Sequence, residues 1–136
     1  MSNDINPKIL KALTLAYMGD VIFEKYIREH LIRKGEVKPQ VLHQKAVSFV
    51  SANAQALILR GWMDEQLLSD EEEAIVRRGR NAKSNPPKNT DVQTYRYSTA
   101  FEALIGFWYF SGSIERMESF ISKGIQTIEE RSSIHE

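Results

Sequence analysis

Two long stretches of the chain are almost free of charged residues, and this pattern of apolar and polar positions predicts its central elements. Between residues 11 and 24 the only charge is Asp20, and between residues 97 and 114 the only charge is Glu102. Nothing in the first stretch breaks a helix outright, and the second is predicted to be helical through about Phe110, where Gly112 ends it. The first is predicted to be apolar around most of its circumference, and the second has the same design. Such helices belong in the middle of a domain, where an ionised carboxylate is unfavourable unless a cation or several donors meet it.

Each stretch also carries a glycine in its interior, Gly19 in the first and Gly106 in the second. Glycine inside a helix costs about 1 kcal/mol relative to alanine, so we expect another element to pack closely against each glycine. The simplest hypothesis is that the two helices cross near the glycines and bring Asp20 and Glu102 face to face. Two carboxylates repel each other unless a divalent cation lies between them, and their oxygen ligands suit Mg²⁺ or Mn²⁺. The alternative is that the carboxylates are structural, with Asp20 bonded to the backbone or to a buried arginine.

The rest of the chain shows helix-capping signals, and no segment alternates with the period of a strand over a useful length. The sequence therefore predicts one all-α domain over residues 1–136, with an ordered core of about residues 5–130. The predicted helices run from near Pro7 to Lys34 with Asn3 or Asp4 as the cap, from Pro39 through Val50, from a Ser51 cap to near Gly61, over 69–80, from Thr90 to Phe110 and onward from a Ser113 cap. The segment 81–89 is predicted to be a loop.

Composition narrows the class of protein. Basic and acidic residues balance at 18 each, so a polyanion must be bound by a local patch and not by an overall field. The chain has no cysteine, which excludes disulfides and thiolate chemistry. The first residues lack the pattern of a signal peptide, and the apolar runs are too short to cross a bilayer. We therefore expect a cytoplasmic protein without a membrane segment.

A local basic patch is predicted at residues 77–88, whose sequence RRGRNAKSNPPK contains no acid. Its arginines have a simple structural role, because the predicted helix 69–80 has acids in its first turn and arginines in its last, as the helix dipole favours. That role does not account for the two lysines, which lie beyond the helix. A flexible basic loop with amide donors suits a phosphate backbone. The candidate phosphate-binding residues are Arg77, Arg78, Arg80, Asn81, Lys83 and Lys88.

These motifs resemble those of a known family. The run Tyr-Met-Gly-Asp-Val at 17–21 is similar to the Phe-Leu-Gly-Asp-Ala/Ser-Val signature of ribonuclease III catalytic domains. The run Phe-Glu-Ala-Leu-Ile-Gly at 101–106 is similar to that family's second motif, in which the glutamate is a magnesium ligand. Together with LHQKAVSFVSANAQA and RRGRNAKSNPPKN, these runs favour Mini-III, the bacterial subclass that consists of the catalytic domain alone.

The resemblance implies a homodimeric, magnesium-dependent endoribonuclease that cuts double-stranded RNA and matures the precursor of large-subunit ribosomal RNA. It implies that Asp20 and Glu102 are the catalytic carboxylates and the Mg²⁺ ligands, with Mn²⁺ as a substitute. The products would carry 5′-phosphate and 3′-hydroxyl ends, and the basic loop would bind the RNA backbone. For the dimer surface, the aromatic run 107–110 is the candidate.

The chain departs from the ribonuclease III pattern at three positions where that family usually has acids, here Leu13, Ala16 and Thr99. Only Asp20 and Glu102 carry over, as in Mini-III. The reduced set implies one tightly held Mg²⁺ per subunit, or a second ion held mainly by RNA phosphate and water. Glu24 and Thr99 are candidates for supporting roles beside the two ligands.

Two further classes of function stay open. A non-catalytic ribonuclease-III-like protein could bind structured RNA as a ribosome-assembly factor, although a pure binder does not need the acids Asp20 and Glu102. A helical protein-interaction module is the third possibility, and it would show neither magnesium dependence nor affinity for RNA.

Overall fold

The computed structural model describes residues 5–134, and over this range the chain forms helices and no strand, which confirms the all-α prediction. The predicted cap residues Asn3 and Asp4 lie outside the described range. The helices are α1 (Ala12–Arg33), α2 (Pro39–Val50), α3 (Ala52–Asp64), α4 (Asp70–Asn81), α5 (Val92–Phe110) and α6 (Ile114–Ile134). None of the helices within residues 5–134 is long and apolar enough to cross a membrane.

The start of α1 was predicted wrongly, because residues near Pro7 form turns and the helix begins only after Lys11. The side chain of Asn6 accepts from the N–H of Lys8 at 3.0 Å, which satisfies that backbone group without a helix. The guanidinium of Arg78 donates to the carbonyls of Lys8, at 2.9 Å, and of Leu10. In a longer helix these carbonyls would accept hydrogen bonds from the backbone. Here a side chain from α4 binds them instead, and no local sequence pattern reveals this contact because α4 is distant in sequence.

The other boundaries follow the sequence closely. Gly35 and Gly112 end α1 and α5 with φ of +107° and +76°, a conformation that other residues rarely adopt. The side chain of Ser51 accepts from the N–H of Ala54 at 3.2 Å and caps α3, as predicted. The final helix continues to Ile134, beyond the predicted limit of the ordered core near 130.

The caps of α4 and α5 show one confirmed prediction and one correction. Ser69 and Glu72 form the predicted capping box: each side chain accepts a hydrogen bond from the other residue's backbone N–H. The cap of α5 is Asp91 and not Thr90, since the Asp91 carboxylate accepts from the N–H of Thr94 at 3.0 Å. Both helices therefore begin where a side chain satisfies the first free N–H groups.

Helix α5 is the central element of the fold and contacts α1, α3, α4 and α6. Its side chains Phe101 and Trp108 pack around Trp62 of α3, with ring centroids 5.5 and 6.0 Å apart. Phe107 and Trp108 are buried, which leaves only Tyr109, 42% exposed, and Phe110 of the aromatic run 107–110 for contact with a second subunit, and this candidate for the dimer surface stays a prediction. Phe107 and Trp108 fill the core because α5 is covered on several sides.

A buried ion pair joins the beginning of α4 to α5 and α6. Glu72 is 5% exposed, and its carboxylate accepts hydrogen bonds from Trp108 Nε1 and from the guanidinium of Arg116. Burial alone would raise the pKa of Glu72, but the bonds from Arg116, the Ser69 backbone and Trp108 lower this pKa to about 2. The carboxylate therefore stays ionised and fixes α4, which carries the basic residues, against the core.

Candidate active site

Helices α1 and α5 cross with their backbones in contact at the two interior glycines. A Cβ atom on Gly19 would lie 2.7 Å from the carbonyl carbon of Glu102 and closer still to its oxygen. A Cβ atom on Gly106 would lie 2.8 Å from the carbonyl carbon of Leu15 and again closer to its oxygen. The predicted crossing is therefore confirmed. Because only glycine permits so close an approach, the contact fixes how the two helices are placed relative to each other.

Asp20 and Glu102 meet at this crossing, Asp20 on the exposed side and Glu102 half-buried. Burial, together with contact with the Asp20 carboxylate and its charge, raises the pKa of Glu102 to about 8, while the Gln55 side chain opposes the shift. Two carboxylates that share a site do not both ionise readily without a cation. The pair is therefore unfavourable in the metal-free protein and is of the kind that a divalent cation stabilises.

The exposure of Asp20 corrects the expectation that α1, as a helix apolar around most of its circumference, lies in the middle of the domain. Its neighbours in the fold cover one face of the helix, and the opposite face remains open. Leu13, Tyr17 and Val21 are 42%, 79% and 58% exposed. They follow one another at intervals of four residues and form one apolar row along the helix, which we call the α1 stripe. Asp20 lies at the edge of this stripe, where water can reach it.

Gln55 is a candidate site residue that the sequence patterns did not single out. It is 3% exposed, lies on α3, and its side-chain amide is near the Glu102 carboxyl. A buried amide is unfavourable without polar partners, and the site supplies one. A signal was present in the sequence, because Gln55 precedes Ile58 and Leu59 by three and four positions and so shares their apolar face. A polar residue on such a face marks a position with a polar neighbour elsewhere in the fold.

The other acidic and hydroxyl candidates have partners of their own. Within residues 5–134, no group of three or more Asp, Glu and His side chains is placed to hold a metal ion. Glu24 forms an ion pair with Arg28, with 3.4 Å between its Oε1 and the guanidinium. Thr99 is buried, and its hydroxyl donates to the carbonyl of Tyr95 at 3.1 Å. The supporting roles of Glu24 and Thr99 stay predictions.

The donor set of the site fits a hard divalent cation. Mg²⁺ is commonly held by one or two carboxylates, keeps several of its waters and takes further ligands from substrate phosphates. The carboxylates of Asp20 and Glu102 provide the charged oxygens, and the amide of Gln55 provides a neutral one. Since Asp20 is exposed, the remaining ligand positions would face solvent, where a phosphate can approach.

The predicted basic residues fall into two groups. Arg77, Lys83 and Lys88 are exposed, whereas the guanidinium of Arg78 is used to hold backbone carbonyls near the chain's beginning. Arg80 is half-buried over the ring of Tyr97. Within the described part of the chain, Arg77, Lys83 and Lys88 are therefore the predicted basic residues whose charges face solvent, whereas Arg78 is bound to the backbone.

Two open grooves flank the loop and share Asn81 and Lys83 in their walls. One groove, of about 530 Å³, separates the loop from Tyr95 and Arg96 of α5. The other, of about 460 Å³, lies between the loop and the first turn of α1, where it also contacts Leu13. The basic loop is therefore continuous with the end of the α1 stripe.

The sequence and the fold correspond to a known family. The family model of the ribonuclease III domain matches residues 13–113, and the chain belongs to the ribonuclease III family of endoribonucleases, which generally depend on a divalent metal ion. Relatives within it are proteins named Mini-ribonuclease 3. That of Staphylococcus aureus is 47% identical over 94% of this chain and 96% of its own length. That of Streptococcus pneumoniae is 45% identical, with 92% and 98% covered.

A solved structure supports the same assignment. The crystal structure of a protein from Fusobacterium nucleatum superposes on this fold with a TM-score of 0.80 at 30% sequence identity. The similarity covers 92% of this chain and 99% of that one. The resemblance inferred from the motifs at 17–21 and 101–106 is thereby confirmed at the level of family and fold.

Proposed function

We propose that this endoribonuclease cleaves double-stranded RNA in a magnesium-dependent reaction, with Asp20 and Glu102 as the ligands of the ion. The observation that carries the proposal is the meeting of these carboxylates at a helix crossing that two glycines, Gly19 and Gly106, hold in place. A structural acid would be expected to have a cationic partner or backbone donors. Glu102 instead has a second acid and an amide beside it. This arrangement requires either a proton on Glu102, as its pKa of about 8 indicates, or a divalent cation between the two acids.

The roles of the site residues follow from their positions. When bound by Asp20 and Glu102, Mg²⁺ would act as a Lewis acid that activates a water molecule for in-line attack on the phosphate and stabilises charge on the leaving 3′ oxygen. The products would then carry 5′-phosphate and 3′-hydroxyl ends. Glu102 is held in place by the close backbone contact at the crossing and would supply the more buried of the two charged ligands. Asp20 faces outward, toward the phosphate that is to be cut. Gln55 orients the Glu102 carboxyl through its amide. Mn²⁺ has similar ligand preferences and would substitute.

The exposed basic residues Arg77, Lys83 and Lys88, with Asn81, are proposed to bind the RNA backbone. Duplex RNA is recognised mostly by shape, through its phosphates and 2′-hydroxyl groups, and a loop rich in cations and amide donors suits both. Within this class of substrates we propose a duplex segment of precursor large-subunit ribosomal RNA, as the resemblance to Mini-III implies.

The proposed active form is a homodimer that buries the α1 stripe. Leu13, Tyr17 and Val21 form a contiguous apolar row, and a two-fold axis would pack one row against its copy. Because Asp20 borders the row, each dimer would hold two sites, one for each strand of a duplex.

Tyr17→Glu is expected to convert the dimer into a monomer, since it places two charges in the buried contact of a two-fold interface. Val37→Glu is the matched control, because Val37 is 75% exposed in the loop between α1 and α2 and away from the stripe. Sedimentation equilibrium of the three proteins measures the effect. A wild type that is monomeric at all accessible concentrations, or a Tyr17→Glu variant that still dimerises, would refute this surface.

The function itself is tested with a long duplex RNA incubated with the wild-type protein in Mg²⁺, in EDTA, and in EDTA followed by excess Mg²⁺. We expect cutting in the first and third conditions only, and no cutting of a single strand of the same sequence. Ligation of an adaptor that requires a 5′-phosphate checks the product ends. Binding of the duplex without cutting in any metal would instead support the non-catalytic RNA-binding factor.

A further inference from the structure

Three side chains from three helices form a cationic cluster that the proposed site does not yet include. The guanidinium carbon of Arg60 on α3 lies 4.4 Å from the centroid of the Tyr97 ring on α5. The guanidinium carbon of Arg80, at the end of α4, lies 4.8 Å from the same centroid. Arg60 is exposed, while Arg80 and Tyr97 are half-buried. One aromatic ring is thus in cation–π contact with two arginines.

This pair of like charges has no ion-pair partner at contact distance in the described part of the chain. One acid lies within electrostatic reach: the pKa of Asp91 is lowered first by its bonds from Thr94 and, more weakly, by the charge of Arg60. Neither Arg60 nor Arg80 forms an ion pair with an Asp or Glu among residues 5–134. The carboxylate of Asp91 is engaged with Thr94 as the cap of α5. A guanidinium stacked on a ring keeps the N–H donors at its edge available, and that edge matches a phosphate in a bidentate geometry.

The cluster is also close to the catalytic carboxylates along the chain. Tyr97 precedes Glu102 by five positions on α5, which is about 7.5 Å along a helix axis at a rise of about 1.5 Å per residue. Arg60 follows Gln55 on α3 by the same interval. Arg80 lies at the point where α4 passes into the basic loop. The cluster therefore lies on the same two helices, α3 and α5, as Gln55 and Glu102, and beside the beginning of the loop.

We infer that Arg60 is a further RNA-binding residue, and that Tyr97 positions Arg60 and Arg80 together as a clamp for a backbone phosphate near the scissile one. The inference rests on the proposed function and assigns a residue outside the loop 77–88. The ring restricts two long side chains before RNA arrives, so less conformational freedom is lost when the phosphate binds. This clamp would fix the register of the strand relative to Asp20 and Glu102.

The test is the affinity of the protein for a duplex RNA in EDTA, measured over a series of KCl concentrations. Arg60→Ala is expected to weaken binding about tenfold and to lower the slope of log K against log salt by about 1, equally for duplexes of different sequence. Arg60→Lys keeps the charge and should restore the slope. Tyr97→Phe should resemble the wild type, whereas Tyr97→Leu should weaken binding, because it removes the ring.

Arg131→Ala is the matched control, since Arg131 is an exposed arginine on α6 and its loss changes net charge equally. Thermal unfolding of each variant separates a binding defect from a folding defect, and Arg60→Gln replaces Arg60→Ala if the latter does not fold. An unchanged salt slope in Arg60→Ala, or an equal effect of Arg131→Ala, overturns the inference. If wild type still cuts duplex RNA in that case, the proposed function stands. If wild type neither binds nor cuts, both fail.

Discussion

Gly19→Ala is expected to destabilise the protein by about 3 kcal/mol or more, or to prevent folding altogether. The added Cβ would overlap the backbone of Glu102, which cannot rotate away as a side chain can. Helices α1 and α5 would have to separate, and the core between them, including Leu15 and Phe101, would lose contacts along its whole length. Gly106→Ala is expected to act in the same way through the backbone of Leu15.

Gly61→Ala is the matched control. Gly61 lies inside α3, and a Cβ atom there would meet nothing within 4 Å. The same substitution is therefore expected to stabilise the protein by about 0.5–1 kcal/mol, through helix propensity and reduced freedom of the unfolded chain. Urea unfolding of the variants, followed by circular dichroism, measures both effects. Equal stabilities of Gly19→Ala and Gly61→Ala would mean that the backbones do not touch at the crossing.

The crossing could be predicted from the sequence because a glycine inside an apolar helix is unfavourable unless another element packs closely against it. The same reasoning failed for the surroundings of Asp20. An apolar sequence shows that a helix face avoids water, but it does not distinguish the core of a protomer from a surface such as the α1 stripe. In the same way, the apolar character of the run 107–110 did not show that Phe107 and Trp108 lie in the core while Tyr109 and Phe110 reach the surface.

Residues whose role depends on distant parts of the chain were the least predictable. Gln55 becomes a site residue only because α3 packs against α5 next to Glu102. Arg60 is one arginine in an ordinary amphipathic helix until Tyr97 and Arg80 are placed beside it. Local signals such as caps and glycine stops predicted most helix boundaries, since those depend on neighbours in sequence. Contacts between helices are set by packing, which the order of residues does not reveal directly.

Glu102→Gln is expected to have two opposite effects, and their combination is diagnostic of a metal site. Cleavage of duplex RNA should fall on the order of 10³-fold or more, because the ion loses one of its two charged ligands and its contribution to the transition state amounts to several kcal/mol. The free energy of unfolding of the metal-free protein should rise by about 1–3 kcal/mol. Burial and the neighbouring Asp20 raise the pKa of Glu102 to about 8, so near neutral pH the metal-free folded protein must bind a proton that the unfolded chain does not hold. A neutral amide at this position removes that cost.

The response to magnesium completes the test. Wild type should gain stability as Mg²⁺ is added in the absence of RNA, since a ligand that binds only the folded state stabilises it by mass action. Glu102→Gln and Asp20→Asn should lose most of this gain. Glu29→Gln is the control, because Glu29 is a partly exposed acid on α1 that pairs with Lys25. If Glu102 were a structural acid, Glu102→Gln would lower the stability of the metal-free protein and leave its response to Mg²⁺ unchanged. That result would show that the crossing of α1 and α5 does not bind the metal ion.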